Sequence, residues 1–459
     1  MADPEEVSEV APELVARAAA IDVAKASGVV CTRVPHERIE GRRVQRLETV
    51  GADTDSILAL ADRLVDQGVE RVVMEATGVY WKPWFFLLEA RGLECWLVNA
   101  RDVKNVPGRP KTDRLDAVWL CKLNERGMLR ASFVPPRPVR ELRDLTRTRA
   151  SLIRDRTRSK QRVEKLLEDA QIKLSSVVSD LFGVSGRAMM DALVAGERDP
   201  LVLAELARGR ARVKLDQLRA ALRGGFTEHH AFMLTTLLEV VDYLEQQTDR
   251  LSARIEEHLT AMDPPHGPGD GPGDGPGAGT GADRSTGEVR PGLLALIDKI
   301  TEIPGVGQRA AQVILAEIGT DMGQFPTADH LASWAKLTPR TIQSGAVNTT
   351  GRTGKGNSWL RGALGEAAAA AARTDTFLGV RYRRLVKRRG HKRALVAVAR
   401  SILVIIWHLI NDPDAVYQDL GPDWHTRLGD PKRKTRDLIR QLEKLGHQVT
   451  LTPVPDPAI

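Results

Sequence analysis

With 459 residues the chain is too long for one ordinary core, and two or three domains are expected. Its 42% hydrophobic and 28% charged residues exclude a disordered chain, and three cysteines with no CxxC pair argue against a disulfide framework or a zinc module. The net charge of +7 gathers in two arginine-rich blocks, which favours a polyanionic partner, although a solvated basic surface would carry the same charge.

The N-terminal stretch MADPEEVSEVAPELV is acidic and has no basic segment ahead of an apolar core, so no signal peptide is expected and a reducing cytoplasm is. Three short β-type runs follow: LVARAAAIDV, GVVCTRV and RRVQRLETV. Ile57, Leu60, Leu64 and Val65 have helical spacing within 56–68, and Gly68 is a stop signal. Residues 70–74 read as a strand, 80–90 as a helix and 93–98 as a strand. Strands first and alternation afterwards predict a mixed α/β sheet with helices on its faces, where ligands sit beyond strand ends.

Four carboxylates fall at such positions. Asp22 closes the apolar run in AAAIDVAK, Glu75 closes RVVME, and Asp113 and Asp116 open a helix in KTDRLDA. Three apart on a helix, the two aspartates would share a face about 5–6 Å apart. Carboxylates at strand ends and a helix start suit a hard cation that keeps open positions for a phosphate. Each residue also has a plain local reading. Asp113 follows the N-cap candidate Thr112 and suits the helix dipole, Asp116 fits a solvated face, Glu75 a polar strand end and Asp22 a turn.

Residues 137–162 carry ten Lys or Arg against three acids. Leu142, Leu145, Leu152, Val163, Leu166 and Ala170 are heptad-like, but Arg149 and Arg156 occupy core-type positions midway. A continuous helix over 137–172 would be about 54 Å long. Because an unpaired buried arginine is costly, its middle is expected to expose Arg149, Arg154, Arg156, Arg158 and Lys160 to nucleic-acid phosphates, with ordinary coiled-coil solvation as the competing reading. Residues 185–225 read as small helical elements broken at Gly196 and Pro200. Leu234, Leu237, Val241, Leu244, Thr248, Leu251, Ile255, Leu259 and Met262 then alternate threes and fours as a coiled-coil seam. Residues 263–291 form a Gly/Pro-rich linker whose ends a flexible coil would separate by on the order of 30 Å.

Beyond the linker, IPGVG predicts a tight turn between two helices. There Gly305 and Gly307 would let backbone amides approach a phosphate, as in a helix-hairpin-helix; a plain helix connection is the alternative. Ser344 precedes Gly345 and a glycine-rich segment with Arg352 and Lys355. A serine in such a loop beside cations suits attack on a phosphodiester, and an ordinary turn serine would look the same. RYRRLVKRRGHKR has eight Lys or Arg and no acid, making Arg383, Arg384, Lys387, Arg388, Arg389, Lys392 and Arg393 the strongest nucleic-acid patch. The apolar run 394–410 is interrupted by Arg400 and His408 and reads as a buried helix, with no membrane span. Residues 435–445 suggest a short amphipathic helix in a peripheral tail.

AIDVAK, MEATGVYW and KTDRLDA resemble the N-terminal part of bacterial insertion-sequence transposases with a DEDD motif, and IPGVG, LTPRTIQSG and GKGNSWLRGAL are similar to the C-terminal segment of the same "one-ten" family. The resemblance runs in order over roughly residues 19–416. It implies a multidomain α/β plus α chain: a RuvC-like, RNase H-type domain at 1–136, a basic helical coiled-coil region at 137–262, the linker at 263–291, a mainly α transposase domain at 292–416 and a tail at 417–459. It further implies Mg²⁺ (or Mn²⁺) held by Asp22, Glu75, Asp113 and Asp116, and Ser344 as a nucleophile forming a transient phosphoserine link to DNA. Donor and target DNA, a non-coding bridge RNA as guide and a homo-oligomer (dimer or tetramer) would be the partners, with action at the bacterial nucleoid. Ala20 stands where family members usually carry glycine, and the linker is unusually long. A RuvC-type metal-dependent nuclease or junction resolvase without a covalent intermediate is the alternative enzyme. A nucleic-acid packaging protein would explain the basic blocks but not the carboxylates.

Overall fold

The computed structural model describes residues 15–39, 42–76, 78–99, 113–262, 292–339, 341–344, 347–351, 353–424 and 431–452. Two compact units emerge, 1–135 and 136–459. The expected linker at 263–291 lies outside the described residues.

In the first unit, the alternating apolar runs form β1 (Ala18–Val23), β2 (Ser27–Pro35) and β3 (Arg43–Gly51). Helix α1 (Thr54–Asp66) starts at an Asp53 N-cap whose carboxylate accepts from Ser56 N–H, and beyond its last turn Gly68 adopts φ +65°. Strand β4 (Arg71–Glu75), helix α2 (Trp81–Ala90), strand β5 (Glu94–Val98) and helix α3 (Asp113–Glu125) follow. The sheet order is β3-β2-β1-β4-β5. The first three strands pair antiparallel, and β1, β4 and β5 run parallel.

The strand period of two separates the faces of the sheet. Ala19, Ile21, Val23, Val72 and Met74 pack with α1 and α2, whereas Ala18, Ala20 and Val73 pack with Ala117, Leu120 and Cys121 of α3. Gly28 of β2 leaves room for Trp84, because a Cβ there would stand 2.9 Å from both Ile21 Cγ2 and the indole.

Among its described residues, the second unit's regular structure is helical apart from one hairpin. Helix α4 (Arg137–Asp169) is continuous for 33 residues, close to the expected span. Three short helices, α5 (Val184–Val194), α6 (Pro200–Glu205) and α7 (Leu215–Ala221), precede α8 (Glu228–Met262). Helices α4 and α8 lie antiparallel, since Pro138 O meets His258 (2.9 Å), Arg156 pairs with Glu245 (2.9 Å) and Asp169 meets His230 (3.3 Å). Leu234, Leu238, Val241, Leu244, Thr248, Ile255 and Leu259 form the buried seam of α8. The small helices close one end of this pair through Met189, Met190, Leu203 and Leu218.

Helices α9 (Leu293–Thr301) and α10 (Gln308–Ile318) flank the IPGVG turn, and α11 (Ala328–Trp334) follows. Strands β6 (Thr341–Ser344) and β7 (Val347–Thr350) make the hairpin, and α12 (Ser358–Ala371), α13 (Phe377–Arg389) and α14 (His391–Asn411) come next. By length and composition α14 could cross a membrane. Here it packs against α9, α11, α12 and α13, burying Ala394, Val398, Ile402, Leu403 and Ile406. Helix α15 (Pro431–Lys444) lies beyond.

Trp84 is fully buried and anchors α2 to the sheet. Trp84→Ala should destabilise the first unit by about 3–5 kcal/mol in urea unfolding followed by circular dichroism. A loss under about 1 kcal/mol would contradict this packing.

Candidate active site and nucleic-acid faces

The parallel register of β1 and β4 sets the level of the first two carboxylates. Ile21 pairs with Met74, so the next step places Asp22 beside Glu75 at the carboxyl ends of neighbouring strands. Both continue the face covered by α3, because Asp22 follows Ala18 and Ala20 in the period of two, and Glu75 follows Val73.

Helix α3 runs back along this face. Its last residue, Glu125, accepts from Val15 N–H ahead of β1 and ion-pairs with Arg33 and Arg43 at 2.9 Å each. Asn124 Nδ2 donates to Ala19 O (3.4 Å) and Arg71 O (3.3 Å), and Cys121 Sγ lies 3.4 Å from Ala18 O. From that anchor Asp116 is about 12 Å up the helix. Glu75 is about 13 Å along its strand from Arg71, and Asp22 about 10 Å from Ala19. The amino end of α3 therefore reaches the same sheet edge as Asp22 and Glu75. Asp22, Glu75 and Asp116 are all half-buried. Asp113 opens α3, and its side chain lies outside the described residues.

An all-oxygen donor set of this kind fits a hard divalent cation. Among the described residues, no three His, Cys, Asp or Glu side chains are close enough together to hold a metal. Among the described residues, Asp22, Glu75 and Asp116 thus share one end of the sheet without forming a three-ligand cluster.

In the second unit, Ser344 ends β6 and pairs with Val347. It sits on a strand end at the turn of a hairpin, where the sequence suggested a loop; its side chain, Gly345, Ala346 and Arg352 lie outside the described residues. Lys355 is exposed. At Asn357 the chain enters α12, and the Asn357 Oδ1 caps the helix by accepting from Trp359 N–H (3.0 Å) and Leu360 N–H (3.2 Å).

The basic residues divide into two groups. Arg149, expected on an exposed face, is instead buried, donating to Gln312 (2.7 Å) and reaching Ser252 (3.5 Å). The seam absorbs it because it brings polar partners; burial, with Arg309 nearby, lowers its pKa to about 10, so it stays charged at neutral pH. The neighbouring residues have partners too. Arg154 stacks over Trp359 (4.4 Å), Arg156 pairs with Glu245, Arg158 pairs with Asp155, and Lys160 lies over Phe182 (4.5 Å). Gly305 departs from expectation as well. It has φ +89°, and a Cβ there would stand 2.4 Å from Ala367 O, so close packing on α12 explains the glycine without a phosphate. Gly307 precedes α10 with open space around it.

The second group is the corner between α13 and α14. Arg384, Lys387, Arg388, Arg389, Lys392 and Arg393 are exposed there, and among the described residues none of the six forms an ion pair. Arg383 pairs with Asp375 (2.8 Å). Burial, then Arg384 and Arg400, hold the Arg381 guanidinium below its ordinary pKa, a sign of concentrated positive charge.

Sequence reasoning missed two polar residues. Glu317 is fully buried and accepts from Arg147 (2.7 and 2.8 Å) and from Asn357 Nδ2 (2.6 Å). A lone acid inside the apolar run VILAEIG was the available signal for it. Asn124 gave no such signal, since only the tertiary fold reveals the carbonyls it joins.

Two family models match the chain. One, for DEDD transposases and described as "Transposase", matches residues 19–172, and the other, "Transposase IS116/IS110/IS902 family", matches residues 297–383. A 43.6 kDa protein of insertion element IS110 from Streptomyces coelicolor is 35% identical over 115 residues, 25% of this chain and 28% of that protein. The transposase for insertion sequence element IS1111A from Coxiella burnetii is 25% identical over 347 residues, covering 74% of this chain and 77% of the relative. A pilin gene-inverting protein from Moraxella bovis is 33% identical over 115 residues, 24% of this chain and 35% of that protein. The DEDD match carries a dependence on divalent metal. With two segments of the chain matched in order, the acidic edge in one and the serine hairpin in the other, the chain belongs to the IS110 family of insertion-sequence transposases, enzymes that recombine DNA.

Proposed function

We propose that this transposase excises and inserts its own insertion sequence under the guidance of a bridge RNA, with Ser344 as the nucleophile. The observation that carries the reading is the shared level of Asp22, Glu75 and the amino end of α3 at one sheet edge. The strand order is that expected of a RuvC-like domain, with an acidic edge suited to Mg²⁺ held by Asp22, Glu75, Asp113 and Asp116. Mg²⁺, when bound, offsets charge on the oxygens of the scissile phosphate.

The chain's own residues do the rest. The Ser344 Oγ attacks the phosphorus and forms an ester as the P–O bond to the neighbouring deoxyribose breaks, and the departing hydroxyl takes up a proton. A hydroxyl of the new partner strand then displaces the serine, so phosphodiester bonds are conserved and no external energy source is needed. Base pairing with the RNA supplies target choice, while the basic faces grip backbones. The acidic edge and Ser344 come together between subunits of an oligomer, which a long linker permits. The Moraxella relative is named for inverting a pilin gene, and inversion is also a conservative exchange of strands.

Ser344→Ala should abolish the denaturant-stable protein–DNA adduct and recombination while leaving RNA binding intact in a gel-shift titration. Metal-dependent cleavage that survives this substitution would place the chain with hydrolytic nucleases instead. Replacing Lys387, Arg388 and Arg389 together by Ala should reduce the slope of log K against log salt for DNA by about 2–3. An unchanged slope would remove the α13–α14 corner from the interface.

A further inference from the structure

Glu317 lies in α10 with no exposure, where an unpaired carboxylate would be costly. Its partners come from two directions. Arg147 grips it bidentately at 2.7 and 2.8 Å, with Arg143 Nε at 3.4 Å. Arg143 also donates to Ala316 O and Glu317 O at 2.9 Å each, satisfying carbonyls at the end of α10. From the other side comes Asn357 Nδ2, at 2.6 Å.

Asn357 uses both ends of its amide. The oxygen caps α12, and the nitrogen ties that cap to Glu317 and so to the arginines of α4. Two more contacts hold the same place: a Cβ at Gly356 would stand 2.4 Å from Ala335 O, and Arg154 of α4 stacks over Trp359. Residues 351–357 join β7 to α12, so Asn357 anchors the segment through which the hairpin that carries Ser344 enters that helix.

We infer that Glu317, acting through Asn357, is a positioning residue for the Ser344 hairpin, setting where the serine stands during strand exchange. This rests on the serine reading above. Misplacing a reacting group by about 1 Å can cost on the order of a hundredfold in rate. Capping alone does not require asparagine, because Ser and Asp cap about as well. Asn offers separate atoms for the cap and for Glu317, whereas Ser has a single, shorter hydroxyl for both, and Asp has no donor and brings a second carboxylate beside Glu317.

The test uses the full chain. Asn357→Ser should keep the melting temperature within about 2 °C and the DNA dissociation constant within about twofold; Asn357→Asp, which sets a second carboxylate against buried Glu317, should keep the same DNA affinity at a lower melting temperature. Adduct formation at saturating DNA should slow by roughly tenfold or more, with Asp the worse of the two. Glu317→Gln should slow the same step, and the Asn357 pair decides the matter if that variant fails to fold. Wild-type rates in both Asn357 variants would overturn the inference. So would equal losses of rate and DNA affinity, which would mark a general binding defect. Ser344→Ala, run alongside, separates the two readings: if recombination survives it, the serine assignment falls and this inference with it. If recombination is lost there while the Asn357 variants are normal, only this inference falls.

Discussion

The parallel pairing of β1 with β4 is the constraint on which the acidic edge depends. A slip of one residue in that pairing would send Asp22 and Glu75 to opposite faces of the sheet. The register is held by the alternation of buried residues on both faces, with Ile21 and Met74 toward α1 and α2, and Ala20 and Val73 toward α3. Helix α3 is then locked to the same two strands by Asn124, whose amide bridges Ala19 O and Arg71 O. The helix that carries the two aspartates is thus indexed to the strands that carry the other acids.

In the second unit the corresponding constraint is electrostatic. Glu317 draws Arg143 and Arg147 of α4 into the body that carries α10 and α12, and Gln312 does the same for Arg149. A buried ion pair of this kind is weak evidence for net stability, because desolvation offsets much of the attraction. Its better-attested effect is geometric: the bidentate fork of Arg147 fixes orientation as well as distance. Part of the long basic helix's charge is therefore used internally, while Arg154, Arg158 and Arg162 stay exposed along it and a second set of exposed cations lies between α13 and α14.

Much of the first unit was legible in the sequence because its elements obey simple periods. β1 to β5, α1 and α2 fall within a few residues of where alternation and helical spacing put them, and Gly68 stops α1 as its backbone freedom suggests. The long helices α4 and α8 were legible for the same reason. Arg149 was misread because its partner Gln312 lies 163 residues away, and no local pattern announces a buried amide. Gly305 is ambiguous in the sequence because a glycine needed for close packing and a glycine open to a phosphate have the same letter, and the packing on Ala367 accounts for it. Ser344 reads as a loop residue in the sequence because four-residue strands leave too little alternation to detect.

The account stands on one acidic edge holding a divalent cation. Mn²⁺ binding to the full chain, followed by electron paramagnetic resonance, tests that claim most directly. Saturable binding should be present in the native protein and weaken roughly tenfold or more in Glu75→Gln and Asp22→Asn. Unchanged stoichiometry and affinity in both variants would contradict the account, because Asp22 and Glu75 would then share an edge without sharing a cation.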